Sequence, residues 1–152
     1  MPQSLKLISA CLLGVRCAWD GEDKYKNDRA MGLAKRGVLI PVCPEQLGGL
    51  RTPRNRQEIQ GGTGDDVLDG RSRVLTEKRE DVTEEFVRGA AETLKIAQQF
   101  KIKEFIAKSK SPSCGCGQIY DGSFSGKLIN GDGVTTAFLK RNGIKVIREE
   151  NL

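Results

Sequence analysis

The chain has 152 residues, 38% hydrophobic and 30% charged, with a formal net charge of +5. That length suits one domain with a buried core, and no apolar run approaches the roughly 18 residues of a membrane span. Histidine is absent, which excludes Ser-His and Cys-His dyads, histidine proton shuttles and histidine metal ligands.

The first segment, MPQSLKLISA, is too short and too polar for a secretory signal, so a cytoplasmic location is expected. Five cysteines in that setting are expected as free thiols, metal ligands or catalytic groups, not as a disulfide framework. The positive charge permits an anionic ligand. Dispersed charge and 5% aromatics argue against nucleic acid.

In chain order, LKLIS (5–9) reads as a strand and NDRAMGLAKRG (27–37) as a helix closed by Gly37. VLIPV (38–42) is a short buried strand. Residues 51–80 are polar, with GGTGDDVLDG expected as a flexible, hairpin-like excursion. The clearest helix covers 81–100. Asp81 and Glu84 have capping-box spacing, and Phe86, Ala90, Leu94 and Ala97 share one face. EFIAK (104–108) is the next strand and IYDGSFSGKL (119–128) a small hairpin. DGVTTAFLKRNG (132–143) reads as a helix with Asp132 as N-cap, followed by the strand IKVI (144–147). The alternation predicts an α/β fold: a single domain over 1–152, with a parallel sheet, helices on both faces and a small hairpin excursion.

Open α/β sheets bind ligands at the carboxyl ends of their strands. Cys11 follows the first predicted strand, Cys43 the second and Cys114 the third, so three thiols reach one sheet edge. There is no C-x2-C pair of the zinc-knuckle kind. Iron–sulfur clusters are held by cysteine thiolates, and three protein ligands would leave one iron open as a Lewis acid. The spacing alone leaves two readings, a metal centre or unligated thiols. Cys17 reads as a buried packing residue beside Trp19, and Cys116 as incidental or a spare thiol. Glu45, two residues past Cys43, is a candidate general base, with a solvated loop carboxylate as the alternative.

Taken together, SACLLGVRCAWDG, PVCPEQLGGLRTPR, DVTEEFVRGA, SPSCGCGQIYDGSFSGKLINGDGVTTAFL and NGIKVI resemble the thiouracil desulfidase family, in order from about Leu7 to Glu149. The resemblance implies a compact Rossmann-like α/β domain carrying a [4Fe-4S] cluster held by Cys11, Cys43 and Cys114, with the fourth iron open to capture the sulfur of a thiocarbonyl substrate. It places Glu45 as the acid-base residue and Ser111 as the catalytic serine. The implied reaction removes sulfur from 2-thio- or 4-thiouracil, or from 4-thiouridine monophosphate, without redox turnover. Ala18 and Trp19 stand where the family commonly has an Arg-Tyr pair, and GGTGDDVLDG is a candidate substrate lid. Arg51 and Arg54, with Arg56 nearby, read either as a solvated basic loop or as substrate contacts suited to a phosphate. Ser113 and the helix start at Gly133 complete the expected substrate contacts. Two other readings stand beside this one: an iron–sulfur hydro-lyase, and a non-enzymatic metal-binding module associated with RNA, whose binding would weaken steeply with salt.

Overall fold

The computed structural model describes residues 4–152. Four short parallel strands form the central sheet: β1 (Lys6–Ser9), β2 (Leu39–Val42), β5 (Glu104–Ala107) and β8 (Lys145–Arg148), in the order β2-β1-β5-β8. Leu7 pairs with Ile40 and Phe105, and Phe105 with Val146. Apolar residues at successive positions bury both faces, as a parallel sheet requires. Ile8 and Ile106 pack with Leu12 and Ala30 beneath α1 (Asp28–Ala34). Leu7, Phe105 and Ala107 pack on the other face with Ala97 and Leu139. These come from α4 (Thr83–Gln99) and α5 (Val134–Arg141).

The α/β class and the parallel sheet are as expected from sequence. The region between β2 and α4 is more ordered than expected. A single turn, α2 (Pro44–Leu47), is followed by β3 (Gln57–Gln60) and β4 (Arg73–Thr76), which pair antiparallel. GGTGDDVLDG is not a flexible insertion, because its centre is a helix, α3 (Gly64–Leu68). The Asp66 carboxylate accepts from the backbone N–H and hydroxyl of Thr63, at 2.9 and 3.2 Å. Arg141 of α5 pairs with Asp65 and Asp69. The capping geometry expected at Asp81 and Glu84 takes another form. Asp81 Oδ1 accepts from the N–H and hydroxyl of Thr83, and Glu84 takes no part. Asp132 is likewise not the N-cap of α5. Gly133 is, and Asp132 accepts from Gly117 N–H and Lys140 Nζ. A second hairpin joins β6 (Gln118–Tyr120) to β7 (Leu128–Asn130). No helix among the described residues is long and apolar enough to cross a membrane.

The α2–α4 crossing positions the site. A Cβ on Gly48 would overlap the carbonyl of Glu85, and one on Gly89 the carbonyl of Pro44. The two backbones touch because neither residue has a side chain. Gly89→Ala must therefore push α2 away, and overpacking of this kind costs about 1–3 kcal/mol. A lowered urea midpoint with an unchanged m-value is the expected result.

Candidate functional site

The carboxyl ends of β2, β1 and β5 open on a crevice of about 350 Å³. Cys11 lies in the 3₁₀ turn that continues β1, and Gly14 at φ +84° closes that turn. Cys43 is the N-cap of α2. Cys114 sits in a turn after β5 that Ser111 organises, because Ser111 Oγ accepts the N–H groups of Ser113 and Cys114, each at 3.1 Å. These three thiols line the crevice together with Cys17.

Their electrostatics differ. Burial pushes the Cys11 thiol up to about 12, opposed by the Lys108 charge. Burial also raises Cys114, against hydrogen bonds from Ser9 and Ser113. Cys43 is held below the ordinary thiol range, chiefly by a hydrogen bond from the Cys17 thiol, and Cys17 is raised in consequence. As a neutral thiol, Cys43 instead donates to the Cys17 carbonyl at 3.6 Å. Among the described residues no three Cys, Asp or Glu side chains close around one point as a single ion would need. A four-iron cluster does not need that, because each thiolate binds a different iron. A soft, all-sulfur donor set spread around a crevice fits such a cluster better than a lone zinc.

Glu45 projects from the first turn of α2 and is 8% exposed. Its Oε1 accepts from Arg54 Nε at 2.9 Å, and its Oε2 from Ser113 Oγ at 2.9 Å. Ser113 lies 3.0 Å from Ser111 Oγ. A serine carries one hydroxyl proton, and Ser113 gives its own to the carboxylate. Ser111 is therefore the donor of the pair. The result is a directed chain from Ser111 to Ser113 to Glu45.

Part of the lining is aromatic and cationic. Trp19 Nε1 donates to the Tyr25 hydroxyl at 3.3 Å. Lys108 Nζ sits 4.7 Å from the Tyr25 ring centre, and the Arg56 guanidinium 5.7 Å from that of Trp19. Lys110, Tyr120, Gln57 and Glu58 also line the crevice.

The 2-thiouracil desulfurase family model matches residues 7–151. The chain belongs to the 2-thiouracil desulfurase family. It is 46% identical over 146 residues to the uncharacterized protein YbbK of Bacillus subtilis (strain 168), covering 96% of each chain. It is also similar to a solved structure described as the [4Fe-4S]-dependent thiouracil desulfidase TudS. That match has 40% identity and a TM-score of 0.87, and covers 99% of this chain and 93% of the other.

Against this family background, the structure brings Cys11, Cys43, Cys114, Glu45, Ser111, Ser113 and Arg54 into one crevice. It does not bring in Arg51, which is exposed and off the lining, although its carbonyl accepts from Arg54 Nη1 at 3.1 Å. Nor does it bring in Gly133. The N–H groups of Gly133, Val134, Thr135 and Thr136 donate to carbonyls of Gly115, Pro112 and Ser113, so the start of α5 has no free donors for a phosphate. Arg54 is no phosphate fork, being spent on Glu45, on the Thr52 hydroxyl and on the Cys17 carbonyl. The expected lid, α3, is not part of the crevice lining. Cys116 lies off the lining too, with Sγ 3.9 Å from the Val146 carbonyl. Ala18 and Trp19, where the sequence departs from the family pattern, are both in the wall.

Sequence reasoning missed Gln57, Glu58, Lys108, Lys110, Tyr25 and Tyr120 as lining residues. The two lysines had a signal, since both lie just before the SPSC motif. The others come from an excursion and loops whose approach is tertiary.

With Arg54 removed, Glu45 would be a buried, uncompensated charge. Arg54→Met is expected to destabilise the protein by about 3–5 kcal/mol, read from the urea midpoint. Activity on any substrate should fall in parallel, because Glu45 loses its fixed position.

Proposed function

We propose that this protein is a [4Fe-4S]-dependent desulfidase that converts a thiolated uracil and water into uracil and sulfide. The observation that carries this is the crevice itself, where three thiols from three strand ends face a carboxylate with a directed serine chain behind it. Family membership and the description of TudS support the same reading.

Cys11, Cys43 and Cys114 would hold the cluster, whose remaining iron supplies a soft Lewis acid for the thiocarbonyl sulfur when the group is bound. Arg54 fixes one oxygen of Glu45, leaving the carboxylate positioned to take a proton from a water. The water oxygen adds to the ring carbon that bears sulfur, and the C–S bond then breaks. Water supplies one oxygen and two protons, so thiouracil and water balance uracil and hydrogen sulfide with no change of oxidation state. Once protonated, Glu45 donates to Ser113, Ser113 to Ser111, and Ser111 to a ring nitrogen or the departing sulfur. The chain thereby runs in reverse and returns the proton. Ser111 and Ser113 both line the crevice, as this role requires.

The deciding experiment is sulfide release from 2-thiouracil and 4-thiouracil by anaerobically reconstituted protein. Glu45→Gln should retain iron and visible absorbance and lose roughly 10²- to 10⁴-fold in kcat. Cys43→Ser should lose the iron. A fully loaded Cys43→Ser protein, or undiminished Glu45→Gln turnover, overturns the assignment.

The finer reading is that the substrate is a nucleotide, thiolated uridine monophosphate, entering ring first. Its phosphate would meet Arg56, Lys108 and Lys110 at the mouth, in place of Arg51, Arg54 and the start of α5. A charge-assisted hydrogen bond of about 1.5–3 kcal/mol corresponds to roughly a tenfold to hundredfold preference. Arg56→Gln with Lys110→Gln should erase that preference in kcat/KM and leave the free base reaction near its starting value. Equal efficiency on base and nucleotide in the unmodified enzyme would refute a phosphate subsite.

A further inference from the structure

Gln57 is the first residue of β3. It is 6% exposed and lines the crevice with Glu45, Arg54 and Ser113. Among the described residues its side-chain amide makes no hydrogen bond to the protein. Its atoms are also not sealed from the crevice, since the fully enclosed polar atoms without partners are Asp20 Oδ2 and Thr135 Oγ1. Neighbouring polar side chains are occupied. Gln60 Nε2 donates to the Gly122 carbonyl at 2.8 Å, and Gln46 Nε2 to Thr52 Oγ1 at 2.8 Å. Glu58 Oε1 accepts from the N–H groups of Gly122 and Phe124.

The amide makes no contact that holds the fold together and meets only solvent in the unliganded protein, so an apolar side chain of the same length would serve the fold equally well. The free hydrogen-bonding capacity is accounted for if the partner is a ligand. A carboxamide offers one donor and one acceptor in a plane. A pyrimidine imide offers a carbonyl and the adjacent N–H in a plane, so the two are complementary.

We infer that Gln57 reads the pyrimidine edge, donating through Nε2 to a ring carbonyl and accepting at Oε1 from ring N3–H. This rests on the desulfidase reading above, which sends the thiocarbonyl to the thiol end of the crevice. In 2-thiouracil the remaining pair is N3–H and the C4 carbonyl. In 4-thiouracil it is N3–H and the C2 carbonyl. One amide serves both isomers, so Gln57 selects for an imide and is indifferent to which carbon carries sulfur. A 3-methylated ring lacks the donor and should be rejected, since a site built to hydrogen-bond a group discriminates against its absence.

The test is Gln57→Met, which keeps the length of the side chain and removes the amide. No protein hydrogen bond is lost, so the urea midpoint should hold or rise. Binding of uracil to reconstituted protein, measured by calorimetry, should weaken roughly tenfold to hundredfold. Discrimination between uracil and 3-methyluracil should shrink by a similar factor. In turnover the change should appear mainly in KM, the signature of a contact made in ground and transition states alike. A destabilised or unfolded Gln57→Met protein would make Gln57 structural and overturn the proposal. So would a stable variant that binds uracil and excludes 3-methyluracil as the unmodified protein does. Failure of the desulfidase reading shows separately, in the unmodified protein, as no sulfide from thiouracil and no affinity for uracil. That outcome removes the reader along with the substrate.

Discussion

The turn from Ser111 to Gly115 joins the sheet to the site. Its carbonyls take up the first N–H groups of α5, which would otherwise be left without partners at a buried helix end. The same turn presents Ser111, Ser113 and Cys114. This dual use demands close approach: a Cβ on Gly133 would lie 2.6 Å from the Ser113 carbonyl, and one on Gly115 would lie 2.5 Å from that of Ser111. Anything that loosens the α5 cap therefore moves a thiol and two hydroxyls together. Thr136 reinforces the arrangement by donating to the Cys114 carbonyl at 2.7 Å.

The second brace runs across the crevice. Arg54 reaches the Cys17 carbonyl, the Thr52 hydroxyl and Glu45 from one guanidinium. The Cys17 loop and the first turn of α2 are fixed to Arg54's own loop by a rigid, planar group, a task for which lysine has neither the fork nor the fixed charge. Glu45 then connects this brace to Ser113 and the turn. The carboxylate is held at both oxygens by different parts of the chain, so its position depends on tertiary structure and not on the single turn of α2 that carries it.

The features legible in the sequence were those with local causes. Apolar runs gave the parallel strands, the stripe at Phe86, Ala90 and Ala97 gave α4, and the positions of Cys11, Cys43 and Cys114 just past strands gave their convergence. The α3 helix was misread because Gly and Asp dominate its sequence. Its propensity is poor, and it is held by the Thr63–Asp66 cap and by Arg141 across the chain. The supposed phosphate site at Gly133 failed for a similar reason. Whether a helix start is free or already capped depends on which loop lies against it, and the 112–115 carbonyls arrive from the preceding crossover.

Arg54 and Arg56 show most plainly what a sequence leaves undetermined. They are two residues apart in RTPRNRQ, with the same side chain and the same charge. Arg54 has a side chain only 6% exposed, and its charge is cancelled by Glu45. Arg56 has a side chain 48% exposed, and its ion pair with Glu77 is long at 3.7 Å. Such exposed pairs contribute little and re-form readily. Burial makes one arginine structural and leaves the other free to meet an anion. With Arg54 and Glu45 neutralising each other inside, the other charges of the lining are the cations Lys108, Lys110 and Arg56 and the carboxylate Glu58, which accepts only backbone N–H groups. On the proposed nucleotide reading, a ligand that carries its negative charge at one end would enter with that end toward these cations and its ring toward the thiols.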